Sequence, residues 1–309
     1  MKTGPTPSND DLRVFTVVAR KSSFAGAAEE LGVSAAYVTK RIRMLETDLA
    51  TKLLHRTTRR VVVTEDGERV YLWAQRVLDD IDHLMQEVSV TRAMPRGLLR
   101  VCSSFGFGRN LVAPAISQLV EKYPSLAVRF EVFDRLVDVA SEGFDLDVRV
   151  GDEIAPHLIA KRLASNHRVL CAAPSYLERR GVPRALADLS NHDCMVIKER
   201  DHPFGVWKLT TGNTEQTVKV TGPLSTNNGE IAVRWAVDGR GIVLRSVWDI
   251  APLLASGELV QVLPGHEQEA NVWAVYPSRL GTSAKVRVCV EYLETYFARI
   301  AAQTWPEGR

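Results

Sequence analysis

The stretch Ser23-Phe24-Ala25-Gly26-Ala27-Ala28-Glu29-Glu30-Leu31-Gly32-Val33-Ser34 decides how the N-terminal part of the chain folds. Ser23 is suited to cap a helix whose apolar residues Phe24, Ala27, Ala28 and Leu31 recur at helical spacing. Gly32 ends that helix, as a glycine just past the last turn does, and Ser34 caps the next one. Upstream, Leu12, Phe15, Val18 and Ala19 repeat with the same period and define a first helix. In the third helix Val38, Ile42, Leu45 and Leu49 line one face, and Ala35, Ala36, Thr39, Lys40 and Arg43 the other. Two short helices joined by a tight glycine turn, the second basic on its outer face, fit a helix-turn-helix. A small bundle whose basic residues are merely solvated is the plainer alternative.

Charge alone leaves the two readings open; the helix–glycine–helix spacing together with a basic wing favours the first. The 309 residues hold 39 Lys and Arg against 37 Asp and Glu, a net charge of +2, which excludes a polybasic protein. Residues 1–67 nevertheless carry +3, and Ser34 to Arg60 holds seven basic and two acidic residues, a net of +5. Thr57-Thr58-Arg59-Arg60-Val61-Val62-Val63 reads as a small β-wing with a basic tip. An α-helix fits the major groove, with outward side chains at base edges and Lys or Arg on phosphates. Lys40, Arg43, Arg56, Arg59 and Arg60 are the expected phosphate partners, and Ser34, Ala35, Ala36, Tyr37 and Thr39 lie where base edges are met.

Thr64 can cap a long helix, with Glu65 and Asp66 at its positive end. Its seam, Val70, Ala74, Val77, Ile81, Leu84 and Val88, steps by four and three, a heptad pattern. A narrow apolar seam with charged flanks calls for a partner helix, so Val70, Val77, Ile81, Leu84 and Val88 are read as a dimerisation surface, with packing on the chain's own domain as the alternative. Pro95-Arg96-Gly97 breaks this helix and reads as a hinge.

Beyond residue 97 strands and helices alternate. Strands are expected at 98–102, 126–133 and 146–150, with helices at 110–123 and 135–142, a βαβαβ series with a parallel sheet. A strand at 168–173, a hairpin over 206–220, helices at 229–238, 246–255 and 284–300 and strands at 242–244 and 272–276 complete two α/β lobes. The domains are then 1–67, a linker and dimerisation helix at 68–96, and 97–302, with lobe one at about 97–166 and 271–302 and lobe two at about 167–270.

Other chemistry finds little support. Gly106-Phe107-Gly108 follows a strand, but the third glycine of a dinucleotide motif is replaced by Leu111. There is no G-x-S-x-G, P-loop or H-E-x-x-H, and the seven histidines form no metal-spaced pair, so no enzyme, metal or cofactor is expected. Cys102, Cys171, Cys194 and Cys289 show no C-x-x-C; packed thiols are expected, with a Cys171–Cys194 redox switch as the alternative. No apolar run approaches the roughly 18 residues of a membrane span, and the polar N-terminus has no signal core, so a cytoplasmic, nucleoid-associated protein without membrane contact is expected.

The quoted stretch, continued by Ile42-Arg43-Met44-Leu45-Glu46, Leu53-Leu54-His55-Arg56-Thr57-Thr58-Arg59 and Val63-Thr64-Glu65-Asp66-Gly67, resembles the signature of LysR-type transcriptional regulators. The order of helix-turn-helix, long helix and two-lobed domain is similar to that family over the whole chain. Ala35 stands where the family commonly carries Gln or Pro, and Ala50 where Gly is usual. Residues 140–151 and 171–177 resemble a subgroup that includes regulators of tartrate and D-malate catabolism. The resemblance implies a winged helix-turn-helix and a periplasmic-binding-protein-like effector domain. It further implies a homodimer or homotetramer on double-stranded DNA, RNA polymerase as partner, and a small organic acid effector between the lobes. Strand ends and helix N-termini facing one cleft suit such an anion. Ser103, Ser104, Phe105, Phe133, Gly151, Thr226, Asn227 and Arg245 are its expected contacts, with simple helix capping as the alternative for any one of them. An α/β enzyme and a ligand-free architectural DNA-binding protein are the competing functions.

Overall fold

Three serines start the three N-terminal helices in the computed structural model of the chain, which describes residues 6–56, 61–88, 95–198, 204–212, 214–277 and 283–304. The side chains of Ser8, Ser23 and Ser34 accept from the backbone N–H groups of Asp11, Gly26 and Tyr37, opening α1 (Asn9–Lys21), α2 (Phe24–Leu31) and α3 (Ala35–Asp48). Gly32 closes α2 in the left-handed conformation, with φ of 65°. The inner faces of the helices meet in a core where Phe15, Val18, Ala27, Val38, Ile42 and Leu45 have no exposed surface. A two-stranded antiparallel wing follows, β1 (Leu54–Arg56) against β2 (Val61–Val63), and its tip, residues 57–60, lies outside the described residues. Thr64 then accepts from Gly67 N–H at 2.9 Å and α4 (Glu65–Val88) begins.

Glu46 locks the wing to α3. It is buried, and its carboxylate accepts from Leu53 N–H at 3.1 Å and from Lys52 Nζ at 2.7 Å. Burial pushes its pKa up, but the hydrogen bonds from Lys52 and the Leu53 and Leu54 amides outweigh that and hold it below the ordinary value. The turn between α3 and the wing passes through Ala50 at φ +50°, left-handed backbone that glycine adopts more readily.

The chain divides into two units, Met1–Ala93 and Met94–Arg309. In the second, β3 (Gly97–Ser103) is followed by one turn, α5 (Phe105–Phe107), a π-turn at Gly108–Val112 and α6 (Ala113–Lys122). Then come β4 (Leu126–Val132), β5 (Leu146–Val150) and β6 (Leu158–Ala164). The second lobe holds β7 (His167–Ala172), α7 (Pro174–Arg180), β8 (Val196–Ile197), β9 (Val206–Thr211), β10 (Thr214–Lys219), β11 (Ser225–Thr226) and α8 (Gly229–Val237). It continues with β12 (Val243–Ser246), α9 (Val247–Ser256), β13 (Val260–Gln261) and β14 (Glu267–Glu269); β15 (Val272–Pro277) and α10 (Ala284–Thr304) return to the first lobe.

The first sheet runs β4-β3-β5-β15-β6, parallel among β3, β4 and β5 and antiparallel at β15. Around it Phe107, Leu119, Leu146, Leu293 and Phe297 form the core. The second sheet runs β10-β9-β14-β7-β12 with antiparallel pairs throughout. The two crossovers between lobes are tied together: Asn166 Nδ2 donates to Ala270 C=O at 2.7 Å, and Asn166 N–H to Asn271 Oδ1 at 3.2 Å.

Three expectations change. Residues 135–142 form turns, not a helix, because side chains take over the backbone groups. The Asp138 carboxylate accepts from Ala140 and Ser141 N–H, and Glu142 pairs with Arg135 while accepting from Asp138 N–H. The helix expected at 110–123 starts earlier, at Phe105 right after Ser104, and passes through a π-turn. The sequence pattern does not reveal strand β6, because the adjacent Lys161 and Arg162 put a charge on each face and break the apolar alternation.

Ala50→Gly is expected to raise the stability of the N-terminal unit by about 1 kcal/mol, by relieving the left-handed alanine. Urea unfolding of the two full-length proteins checks it; equal midpoints would mean the turn carries no strain.

Candidate functional site

The outer face of α3 is a small basic surface. Ala35, Ala36, Tyr37, Lys40, Arg43 and Met44 are exposed and Thr39 is half-buried, while Val38, Ile42 and Leu45 anchor the opposite face. Not all the basic residues counted along the sequence belong to it. Arg41 turns inward and holds Ser8 and Asp10 at 3.1 Å and Asp11 at 3.2 Å, while Lys52 is paired with Glu46. Lys40 and Arg43 are the cations α3 presents outward. Ser34 is exposed, with its hydroxyl capping α3. Arg56 lies in β1, and Arg59 and Arg60 lie outside the described residues. Met44 adds exposed apolar surface to this face, and in the wing Val62 is 51% exposed, neither of which charge counting registers.

Along α4 the seam splits. Val70 packs on the helical core of its own unit, and Ala74 is buried. Farther on, Ile81 is half-buried and Val77 and Leu84 are exposed, as are Leu72 and Trp73 outside the seam. Of Val88 the described structure gives only its place in the last turn of α4.

In the second unit a small cleft of about 60 Å³ opens between the lobes, lined by Ser104, Gly106, Phe133, Asp134, Val150, Arg168, Asn227, Gly229, Arg245, Ser246 and Trp248. Ser104, Phe133, Asn227 and Arg245 were expected there. Ser103 is not part of it: the residue is buried in β3 and its hydroxyl donates to Val148 C=O at 2.6 Å. Phe105 is exposed off the lining, Thr226 accepts from Asn228 N–H at 3.0 Å, and Gly151 borders neighbouring hollows instead.

The source of positive charge also differs from the expectation. Both helix starts at the cleft already have protein partners. Asn228 Oδ1 accepts from Glu230 and Ile231 N–H at the start of α8, and Asp134 Oδ1 accepts from Phe105 N–H at 3.4 Å. Two arginines supply the charge instead. Arg245 is buried, its Nε donating to Asp249 at 2.6 Å, and its guanidinium lies so close over Gly229 that a Cβ there would be 2.0 Å from it. Arg168 extends from β7 and donates to Gln268 Oε1 at 3.0 Å. Arg168, Ser246 and Trp248 escaped the sequence reading because each sits in an apolar strand or helix run that signals only a core. Polar links cross the cleft rim: Asn228 Nδ2 donates to Asp134 Oδ2 at 2.8 Å, and Arg109 pairs with Glu230.

The remaining candidates resolve into packing. At Gly108 a Cβ would come within 2.7 Å of Val132, so the glycine lets the π-turn press on the sheet; the Gly106-Phe107-Gly108 motif serves that approach. All four cysteines are buried and free, and burial pushes Cys171, Cys194 and Cys289 up to about 12, which keeps these thiols protonated. No helix among the described residues is long and apolar enough to cross a membrane.

Comparison with known proteins bears on both halves. Residues 9–68 match the bacterial regulatory helix-turn-helix protein of the lysR family, and residues 92–298 match the LysR substrate binding domain. The chain is 59% identical to the HTH-type transcriptional regulator DmlR of Escherichia coli over 94% of this chain and 95% of that one. It is 48% identical to the HTH-type transcriptional activator TtdR of Escherichia coli over 94% of each. Among solved structures, CrgA, a LysR-type transcriptional regulator from Neisseria meningitidis, superposes with a TM-score of 0.58 at 27% identity, covering 94% of this chain and 99% of that chain. A Corynebacterium glutamicum OxyR mutant shares the fold alone, with a TM-score of 0.65 at 19% identity over 98% of this chain and 96% of that chain. This family and these relatives are transcriptional regulators, not enzymes. A helix-turn-helix with an outward basic helix, followed by a two-lobed substrate-binding domain, therefore has its place: the chain belongs to the LysR family of transcriptional regulators.

Proposed function

We propose that the protein binds pseudo-palindromic DNA as a homodimer or homotetramer and is controlled by a small organic acid held between its two lobes. The observation that carries the ligand reading is the pair of arginines, Arg168 and Arg245, beside the hydroxyl and amide of Ser104 and Asn227 in one cleft. Guanidinium groups suit carboxylates in charge and in the planar geometry of their donors. The resemblance to the subgroup of tartrate and D-malate regulators favours a hydroxy-dicarboxylate over an aromatic acid. Calorimetric titration of the full chain with malate, tartrate and benzoate tests this, with tighter binding of the first two expected. Replacing Ser104→Ala and Asn227→Ala together is expected to weaken the acid that binds by at least about tenfold, two hydrogen bonds to its oxygens being lost. An unchanged affinity would move the site elsewhere.

On the DNA side, Lys40 and Arg43 neutralise phosphates, Arg56, Arg59 and Arg60 extend the contact through the wing, and Ser34, Ala35, Ala36, Tyr37 and Thr39 meet the bases. RNA polymerase is the further partner expected at a promoter. Lys40→Ala is expected to weaken binding to every duplex and to flatten the slope of log affinity against log salt by about one. Fluorescence anisotropy on duplexes of two unrelated sequences measures both; a slope equal to that of the wild type would remove Lys40 from the phosphate contacts.

The outer part of the seam, Val77, Ile81 and Leu84 with Val88 in the last turn, is the proposed dimer contact, Val70 being engaged in its own unit's core; the exposure of Val77 and Leu84 on one helix supports it. Ile81→Asp would bury a carboxylate against apolar neighbours, costing several kcal/mol. Dimers are then expected to dissociate in analytical ultracentrifugation, with DNA affinity falling because two linked half-sites no longer act together. Sedimentation like that of the wild type would assign the seam to packing within one chain.

A further inference from the structure

Trp248 belongs to two parts of the second unit at once. It lies on α9 in the second lobe, where Ile250, Leu253 and Leu254 pack into that lobe's own cluster. Its indole faces the other way and joins the core of the first lobe, edge-on to Phe107 at 5.1 Å between ring centres. It also lines the cleft, and the Arg245 guanidinium lies 5.8 Å from the ring centre. The residue is 9% exposed, and Nε1 is buried with no hydrogen-bond partner in the protein.

A buried indole N–H without an acceptor is costly, and such groups in native proteins are nearly always satisfied. A phenylalanine at an apolar core position would not carry that cost. The other donors of the cleft differ in kind. Arg168 and Arg245 are charged and already engaged by Gln268 and Asp249, and Ser104 and Asn227 are at its wetter edge. Trp248 instead carries a neutral donor on a packed ring whose centre lies 5.8 Å from the buried Arg245 guanidinium.

We infer that Trp248 is a specificity-determining residue of the cleft, its Nε1–H donating to a carboxylate oxygen that Arg245 also holds. This rests on the reading of the cleft as an organic acid site. The indole then selects for an anion with an acceptor oxygen placed against the Trp248 wall of the cleft. Because the same ring is part of the first lobe's core and of the second lobe's helix, a bound acid is gripped by a residue common to both lobes.

The test is Trp248→Phe in the full-length protein, which keeps an aromatic ring against Phe107 and removes the donor. Malate, tartrate and benzoate are titrated calorimetrically into both proteins. Whichever acids the wild type binds are expected to bind the variant about 10- to 100-fold more weakly, the range for a lost hydrogen bond to a charged group. Thermal unfolding of both proteins separates this loss from a folding defect. As a second readout that does not depend on the variant folding, wild-type protein labelled with ¹⁵N-tryptophan is expected to show one indole N–H resonance moving downfield on adding the bound acid. A folded variant with wild-type affinity, or indole resonances that stay in place on saturation of the wild type, overturns the assignment of Trp248 and leaves the organic acid reading standing. Failure of the wild type to bind any of the acids would instead sink that reading and this inference together.

Discussion

The cleft exists because two strand crossovers are held side by side, and Asn166 does the holding. The residue is buried between them, its Nδ2 donating to Ala270 C=O and the Ser246 hydroxyl and its backbone N–H to Asn271 Oδ1. Asp152 completes the junction by accepting from Asn271 and from the Trp273 indole. A buried amide with several partners resists displacement, since leaving any of them unsatisfied costs free energy. The ends of β3 and β7, and the segments around α8 and β12, therefore face one space with a set geometry. Ser104 and Phe133 reach that space from one lobe, and Arg168, Asn227 and Arg245 from the other.

Within it, charge is arranged differently from what helix dipoles alone suggest. The starts of α5 and α8 are engaged by Asp134 and Asn228, and Glu230 adds a carboxylate to the first turn of α8. Their positive ends are thereby used within the protein. Arg245 replaces them, packed over Gly229 where a side chain would collide with it. Asp249 keeps the guanidinium buried and oriented, an ion pair whose second role is to aim a donor fork. Glycine at position 229 is thus a requirement of space around an arginine sixteen residues farther along the chain.

The DNA-binding unit shows the same economy of charge. Of the basic residues on α3, Arg41 is drawn onto Ser8, Asp10 and Asp11 of the first helix, where it joins α3 to α1. Lys52 serves the Glu46 latch. The outward surface is therefore narrower and less charged than a residue count implies, and Tyr37 and Met44 give it an apolar component. Such a face suits a groove lined by base edges as well as phosphates.

Local rules read straight from the sequence were enough for the helix-turn-helix. Ser23, Gly32 and Ser34 act within a few residues of themselves, and Val38, Ile42 and Leu45 repeat at the helical period, so spacing alone identifies the inner face. The hairpin 206–220 and the helices at α8, α9 and α10 were legible for the same reason. The helix expected at 135–142 failed because Asp138 and Glu142 bond their own backbone, which periodicity does not register. The cleft was legible in part: Ser104, Phe133, Asn227 and Arg245 stand at strand ends, where ligands meet open α/β sheets. Ser103 was misplaced because adjacent residues of a strand point to opposite faces, and only the sheet decides which face is the core. Arg168 and Trp248 depend on contacts between residues far apart in the chain, with Gln268 and with Phe107. Sequence by itself determined the elements whose causes are local, whereas the tertiary structure decided which distant side chains share a space, because burial and pairing are properties of the packed chain.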